Sequence, residues 1–300
     1  MPREIPYIFC RYDFVRKRQA LSIKEQQELL ESLKAARVAY RNKEPSQDEF
    51  DTFEMTPRHF TFDGVDAFSW CVGYDIRTRT EASYDTATDL ITEHFAEANG
   101  IRFTRFVAVP SLRGLAVSDQ RSDIHLGGMA GISRFKAVVR SKKGNRFRVE
   151  PAGSSADIDR AFKAWRVQQF SFSVRPFNPT RRRLGGQLHD LMVKNGVMQL
   201  SGVARPSGGD AITAPKSGIV GEAIGLAEHG YGQVALKGVT SQGREAVIGK
   251  PHFSQEKEKN KKRQAAPRLI KVYILEYESS ERRRVGEVVK ALVEFYGNET

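Results

Sequence analysis

Strand-like runs of alternating apolar residues and helix-like runs with apolar positions three and four apart are interleaved along this chain. They lack strict strand–helix–strand alternation, and that order constrains the fold more than any single motif. A parallel sheet needs a long crossover between successive strands. The sequence therefore predicts an α+β architecture, with mixed, mainly antiparallel sheets and packed helices.

Residues 5–15, rich in β-branched and aromatic side chains, read as a strand whose far end carries Arg16, Lys17 and Arg18. Ser22 and Glu25 make a capping box for a helix running to about Tyr40. Residues 41–57 are acidic and polar and read as a loop, after which Asp63-Gly64 turns a hairpin between residues 59–62 and 67–76. Residues 86–99 are expected to be a helix with Leu90, Ile91, Phe95 and Ala98 as its buried side and Asn99-Gly100 as its stop. A hairpin over 102–117, a helix from about Met129 and a strand over 146–151 follow.

Ser154 and Asp157 then cap a helix through Trp165, and residues 168–175 alternate as a strand carrying Phe170, Phe172 and Val174 on one face. Asn178-Pro179-Thr180 reads as the start of a further helix, with Leu184, Leu188, Leu191 and Met192 on one face. A strand over 197–203 leads into Arg205-Pro206-Ser207-Gly208-Gly209-Asp210, the best linker candidate. The expected division is an α+β domain over 1–205 and a C-terminal α+β region over 206–300, suited to dimerisation or partner docking. The latter holds a helix at 219–228, a hairpin over 233–250, a strand at 268–277 and a closing helix from Glu281.

Charge narrows the function. Residues 101–205 hold 20 Lys and Arg against 6 Asp and Glu, while the whole chain is +12, so the remainder is slightly acidic. Cations gathered into one third of the length point to an anionic partner. Lys142, Lys143, Arg146 and Arg148 flank one strand, Lys163 and Arg166 flank the next turn, and Arg175, Arg181, Arg182 and Arg183 follow. Long cationic side chains track phosphates without reading bases, so the expectation is backbone-dominated nucleic-acid binding with little sequence selectivity. The three arginines before the 184–192 stripe fall in a helix's first turn, where the dipole disfavours cations by about 0.3–1 kcal/mol. A bound phosphate would explain them, and so would a solvated cluster loosely paired with carboxylates. Phe170 and Phe172 have the chemistry to stack on unpaired bases, but alternating strand positions favour the core.

Catalytic motifs are wanting. There is no phosphate-binding loop, and Gly127-Gly128-Met129-Ala130-Gly131 lacks the lysine and reads as a flexible turn. Asp119, Asp123 and His125 come nearest to a divalent-metal set for phosphodiester cleavage, against a plainer reading as capping residues before a helix. Glu256-Lys257-Glu258-Lys259 lies in a charged loop, and Cys10 and Cys71 sit in apolar contexts that suit reduced core thiols. No cofactor, metal ligand or catalytic residue is assigned. No apolar run spans a bilayer and no secretion signal opens the chain, so a cytoplasmic protein without membrane insertion is expected.

The order of motifs resembles the RexA family, the phage-exclusion proteins of lambdoid prophages, and related bacterial defence proteins. The resemblance is carried by the Phe60-Thr61-Phe62-Asp63-Gly64 hairpin, the helix from Thr86, the hairpin over 102–117, the strand Phe147-Arg148-Val149-Glu150-Pro151, the helix start Asp157-Ile158-Asp159 and the strand end Val174-Arg175-Pro176. It implies a cytoplasmic homodimer that binds DNA rather than RNA without strong sequence preference. It further implies a non-enzymatic sensor or effector in abortive infection that signals to a partner protein. The alternatives are a metal-dependent nuclease and a docking protein for an acidic partner.

Overall fold

The structure is a computed structural model, and it describes residues 3–40, 50–85, 90–122, 124–176, 186–208, 211–213, 218–228, 231–249, 270–276 and 280–297. The fold is α+β, and every strand pairing whose register is resolved is antiparallel. The chain packs as two compact units, an inserted unit of Tyr12–Val149 and a split unit of Met1–Arg11 with Glu150–Thr300.

The inserted unit begins in β1 (Arg3–Arg16), whose first half belongs to the split unit. There follow β2 (Gln19–Ala20), α1 (Ile23–Leu33), β3 (Arg37–Tyr40), β4 (Phe50–Phe62), β5 (Val65–Asp85), β6 (Leu90–Val109), β7 (Gly114–Ser118), α2 (Gly128–Ser141) and β8 (Asn145–Pro151). Its strands lie in the order β1-β7-β6-β5-β4-β3, with β2 and β8 also on β1. Asp63 and Gly64 both take positive φ and set Phe62 directly opposite Val65, so the loop is the two-residue turn this dipeptide favours, and β5 starts at Val65 rather than at the expected residue 67. The capping box at Ser22 forms as expected, but α1 stops at Leu33 and residues 37–40 and 50–57 are strands rather than helix and loop. Residues 90–99 are also strand, paired with β5 from Asp85↔Leu90 onward, so a long ladder overrides the helical spacing.

The split unit continues through α3 (Ser155–Ala164), β9 (Trp165–Val174), α4 (Gln187–Lys194), β10 (Leu200–Ala204), α5 (Ile219–Glu228), β11 (Gly232–Thr240), β12 (Glu245–Ile248), β13 (Ile270–Glu276) and α6 (Glu281–Tyr296). Its sheet order is β10-β9-β11-β12-β13-β1. Both β10 and β11 pair with β9, so the chain is stitched together across residue 205 and no unit boundary falls there. The capping box at Ser154 and Asp157 closes on α3. Burial works against the Asp157 carboxylate, yet N–H donors of Gly153 and Ser154, the Ser154 hydroxyl and Arg160 together hold its pKa below the usual value. Along α6, Val285, Val288, Val289, Leu292 and Phe295 are buried at the spacing the sequence shows, with Phe295 against Phe9 and Trp165. Among the described residues no helix is long and apolar enough to cross a membrane.

Candidate nucleic-acid interface

Two turns of the inserted unit carry the cations. The first joins β1 to β2, where Val15 faces Ala20 and Arg16 faces Gln19, leaving Lys17 and Arg18 as a two-residue loop. A loop of that length takes positive φ at both central positions, which Asn-Gly fills at little cost. Here Lys17 has φ 48° and Arg18 φ 74°. Left-handed backbone costs an L-residue on the order of 1–2 kcal/mol. Both side chains are exposed at the tip.

The second turn joins α2 to β8. Lys142 caps α2 and donates its backbone N–H to Val139, Lys143 follows, and Gly144 turns the chain at φ 85°. Cations suit this end of a helix, where the dipole is negative, and Arg140 lies in the last turn. Along β8 the alternation is strict at the start, with Asn145 and Phe147 buried and Arg146 and Arg148 exposed. Beneath the cations lies an aromatic knot. Phe14 of β1, Phe135 of α2 and Phe147 of β8 meet with ring centroids 4.8–6.1 Å apart, and Trp70 and Phe106 pack on Phe135. All five are nearly or wholly buried.

A side-chain clamp holds the two turns side by side. Arg16 donates from Nε to Asn145 Oδ1 at 3.0 Å, while Asn145 donates from its backbone N–H and from Nδ2 to the Lys142 carbonyl. Glu25 lies 3.8 Å from the Arg16 guanidinium on the other side, its carboxyl held low chiefly by hydrogen bonds from Ser22. The tip cations are unpaired by contrast: among the described residues Lys17, Arg18, Lys142, Lys143, Arg146 and Arg148 form no ion pair. The structure thus brings together four of the expected residues, Lys142, Lys143, Arg146 and Arg148, and adds Arg16, Lys17 and Arg18. The sequence marks those three only as the end of a strand, because Lys-Arg is no turn dipeptide.

Lys163, Arg166 and Arg175 belong to the split unit. Lys163 ends α3, and Arg166 and Arg175 stand exposed at opposite ends of β9, nine residues or about 30 Å apart. Arg181, Arg182 and Arg183 lie outside the described residues, as does the expected helix start at Asn178. The described helix α4 starts at Gln187, and its free N–H groups are already taken. Glu222 of α5 accepts from Gln187 N–H at 2.9 Å and from Leu188 N–H at 2.7 Å. Gly186 makes room for it, since a Cβ there would fall 2.5 Å from the Glu222 carboxyl carbon. Phe170 and Phe172 are core residues, at 0% and 6% exposure.

The metal set does not assemble. Asp119 accepts the Gly128 N–H at 2.9 Å and so serves the start of α2, His125 packs edge-on to Phe103, and Asp123 lies outside the described residues. Among the described residues no three His, Cys, Asp or Glu side chains are placed to hold a metal ion. The glycine run is helix rather than flexible turn. Gly131 lets α2 approach β6, where a Cβ would strike Thr104 at 2.6 Å. Neither Cys10 nor Cys71 is in a disulfide. Residues 256–259 lie outside the described residues. No protein-family model matches the chain, and no curated protein matches it.

Proposed function

We propose that the inserted unit binds the phosphate backbone of nucleic acid with its two cationic turns, Lys17-Arg18 and Lys142-Lys143, and with Arg146 and Arg148 beside the second. The observation that carries this reading is the left-handed Lys17-Arg18 tip, clamped by Arg16 and Asn145 to the Lys142 turn. Strained backbone that holds unpaired charge in solvent serves no packing purpose, and such strain collects at functional sites. Side chains of this kind recognise phosphates and not base edges, so binding is sequence-nonspecific. The RexA resemblance adds duplex DNA as the ligand and a non-enzymatic role as sensor or effector in anti-phage defence, in the cytoplasm. Of the segments that carry the resemblance, residues 90–99 are strand rather than helix, and the expected helix start at Thr86 lies outside the described residues.

The test is the anisotropy of a labelled duplex over a salt series. Log affinity is expected to fall linearly with log salt, with a slope of about −0.9 per phosphate contact. Lys142→Glu with Lys143→Glu flattens that slope by roughly two contacts. No binding at low salt would sink the reading and leave the cations to an acidic protein partner.

A further inference from the structure

Among the described residues, Glu54 of β4 is the only acid of the inserted unit that is wholly buried, and neither of its carboxylate oxygens has a hydrogen-bond partner. Buried polar groups are almost always partnered, so this one asks for a reason. Thr52 and Glu54 stand on one face of β4, and α2 packs there through Arg134, which donates to Thr52 at 2.9 Å.

The backbone of Glu54 also holds the end of α1. Ala35 donates its N–H to the Glu54 carbonyl at 3.1 Å, and Lys34 forms an isolated bridge with Glu54. Ala35 reaches this position at φ 59°, a left-handed conformation that alanine rarely takes. A helix C-terminus is the negative end of its dipole, yet the last turn of α1 holds no base, and Glu31 lies in it.

No base pairs with the Glu54 carboxyl among the described residues. On α1, Glu31 is a like charge and Lys34 is exposed. On α2 the buried charge is Arg134, engaged with Thr52 and lying 4.3 Å over the Tyr74 ring of β5. Val72 of β5 stands directly opposite Glu54. Arg37 of β3 stands opposite Phe53, on the other face of the sheet, and pairs with Asp75 at 3.2 Å. Burial therefore pushes the carboxyl up to about 9, and the Glu31 charge adds to the rise.

We propose that Glu54 is a proton-operated latch on α1: with a proton on its carboxyl the helix stays packed against β4, and loss of that proton to water releases it. Leu29, Leu30 and Leu33 are buried and hold α1 down. A charge at Glu54 opposes them at the helix end, where release also relieves Ala35 and separates Glu54 from Glu31. In the open form Glu54 titrates near its ordinary 4.5, so opening releases one proton at any pH between 4.5 and about 9. The opening constant then rises roughly tenfold for each pH unit in that window. The latch works without nucleic acid, and its test needs none.

Amide hydrogen exchange of the full chain, corrected for the intrinsic rate at each pH, is the test. The amides of Leu29, Leu30 and Leu33 are expected to open about 100-fold more often at pH 8 than at pH 6. They stay less protected than the amides of Trp70 and Phe135, which open only with the whole unit. In Glu54→Gln, whose side chain has no proton to lose, the same three amides change by less than about threefold over that range, and the variant keeps the wild-type circular dichroism. Wild-type opening that does not change with pH, a rise that survives in Glu54→Gln, or α1 amides as protected as those of Trp70 and Phe135 overturns the latch.

Discussion

The start of α4 and the tip of the β1–β2 hairpin both offer what an anion needs, and the protein treats them in opposite ways. At α4 the backbone donors of Gln187 and Leu188 are closed by a carboxylate from α5. At the hairpin tip, Lys17 and Arg18 stand in left-handed backbone and form no ion pair among the described residues, and the Lys142-Lys143 turn beside them, which turns on Gly144, leaves its lysines unpaired too. The difference teaches that local cation density is a poor guide to a binding site. What counts is whether the fold has already satisfied the donors, and whether it spends conformational energy to keep charges apart from its own acids.

The same contrast runs into the interior. Glu222 is an acid with its partners in place, whereas Glu54 of the inserted unit is buried at 0% exposure with neither carboxylate oxygen hydrogen-bonded among the described residues. Burial pushes its pKa up to about 9, and the carboxylate of Glu31 adds to the rise. The nearby Arg134 donates to Thr52 and lies 4.3 Å over the Tyr74 ring.

The largest effect expected is on the knot under the cationic turns. Phe135→Ala should cost about 3–5 kcal/mol in chemical denaturation, since its ring touches Phe14, Trp70, Phe106 and Phe147. A loss under about 1 kcal/mol would mean that β1, α2 and β8 are not held by that core.

Next is Glu54. The folded state keeps a proton that the unfolded chain releases above its ordinary pKa of 4.5, so this group's contribution to stability falls as pH rises from about 4.5 towards 9. Glu54→Gln should therefore stabilise the protein by about 2–4 kcal/mol at pH 8 and change little at pH 4. Thermal unfolding at the two pH values checks the sign, and equal effects at both would refute the buried, protonated state.

Glu222→Ala is expected to cost about 1–2 kcal/mol by orphaning two N–H groups, with faster amide exchange at Gln187 and Leu188. It sharpens the comparison in a second way. Nucleic-acid affinity should not change, and a marked gain would show that α4 is an anion site which its own acid blocks.

Much of this fold was legible in the sequence. The capping boxes at Ser22 and Ser154, the Asp63-Gly64 turn and the stripe of α6 are local devices whose physics lies within a few residues. The misses are long-range. Residues 37–40, 50–57 and 90–99 are strands because neighbouring strands pair with them, and no short window carries that information. The division of the chain was hidden for the same reason, since β9 takes partners from both sides of Arg205. At the candidate site, the alternation of Arg146 and Arg148 with Phe147 was readable from spacing. The clamp between Arg16 and Asn145 joins residues 129 apart and was not.

The account rests on Lys17 and Arg18 being kept in an unfavourable turn for the sake of their charge. Replacing them together with Asn and Gly, Lys17→Asn and Arg18→Gly, gives the turn the dipeptide it prefers and removes two cations. Unfolding and duplex binding measured on this one variant should move apart, with stability rising by about 1–2 kcal/mol while affinity and its salt slope fall by roughly two phosphate contacts. A variant that is stabilised and binds as tightly as the wild type would contradict the account.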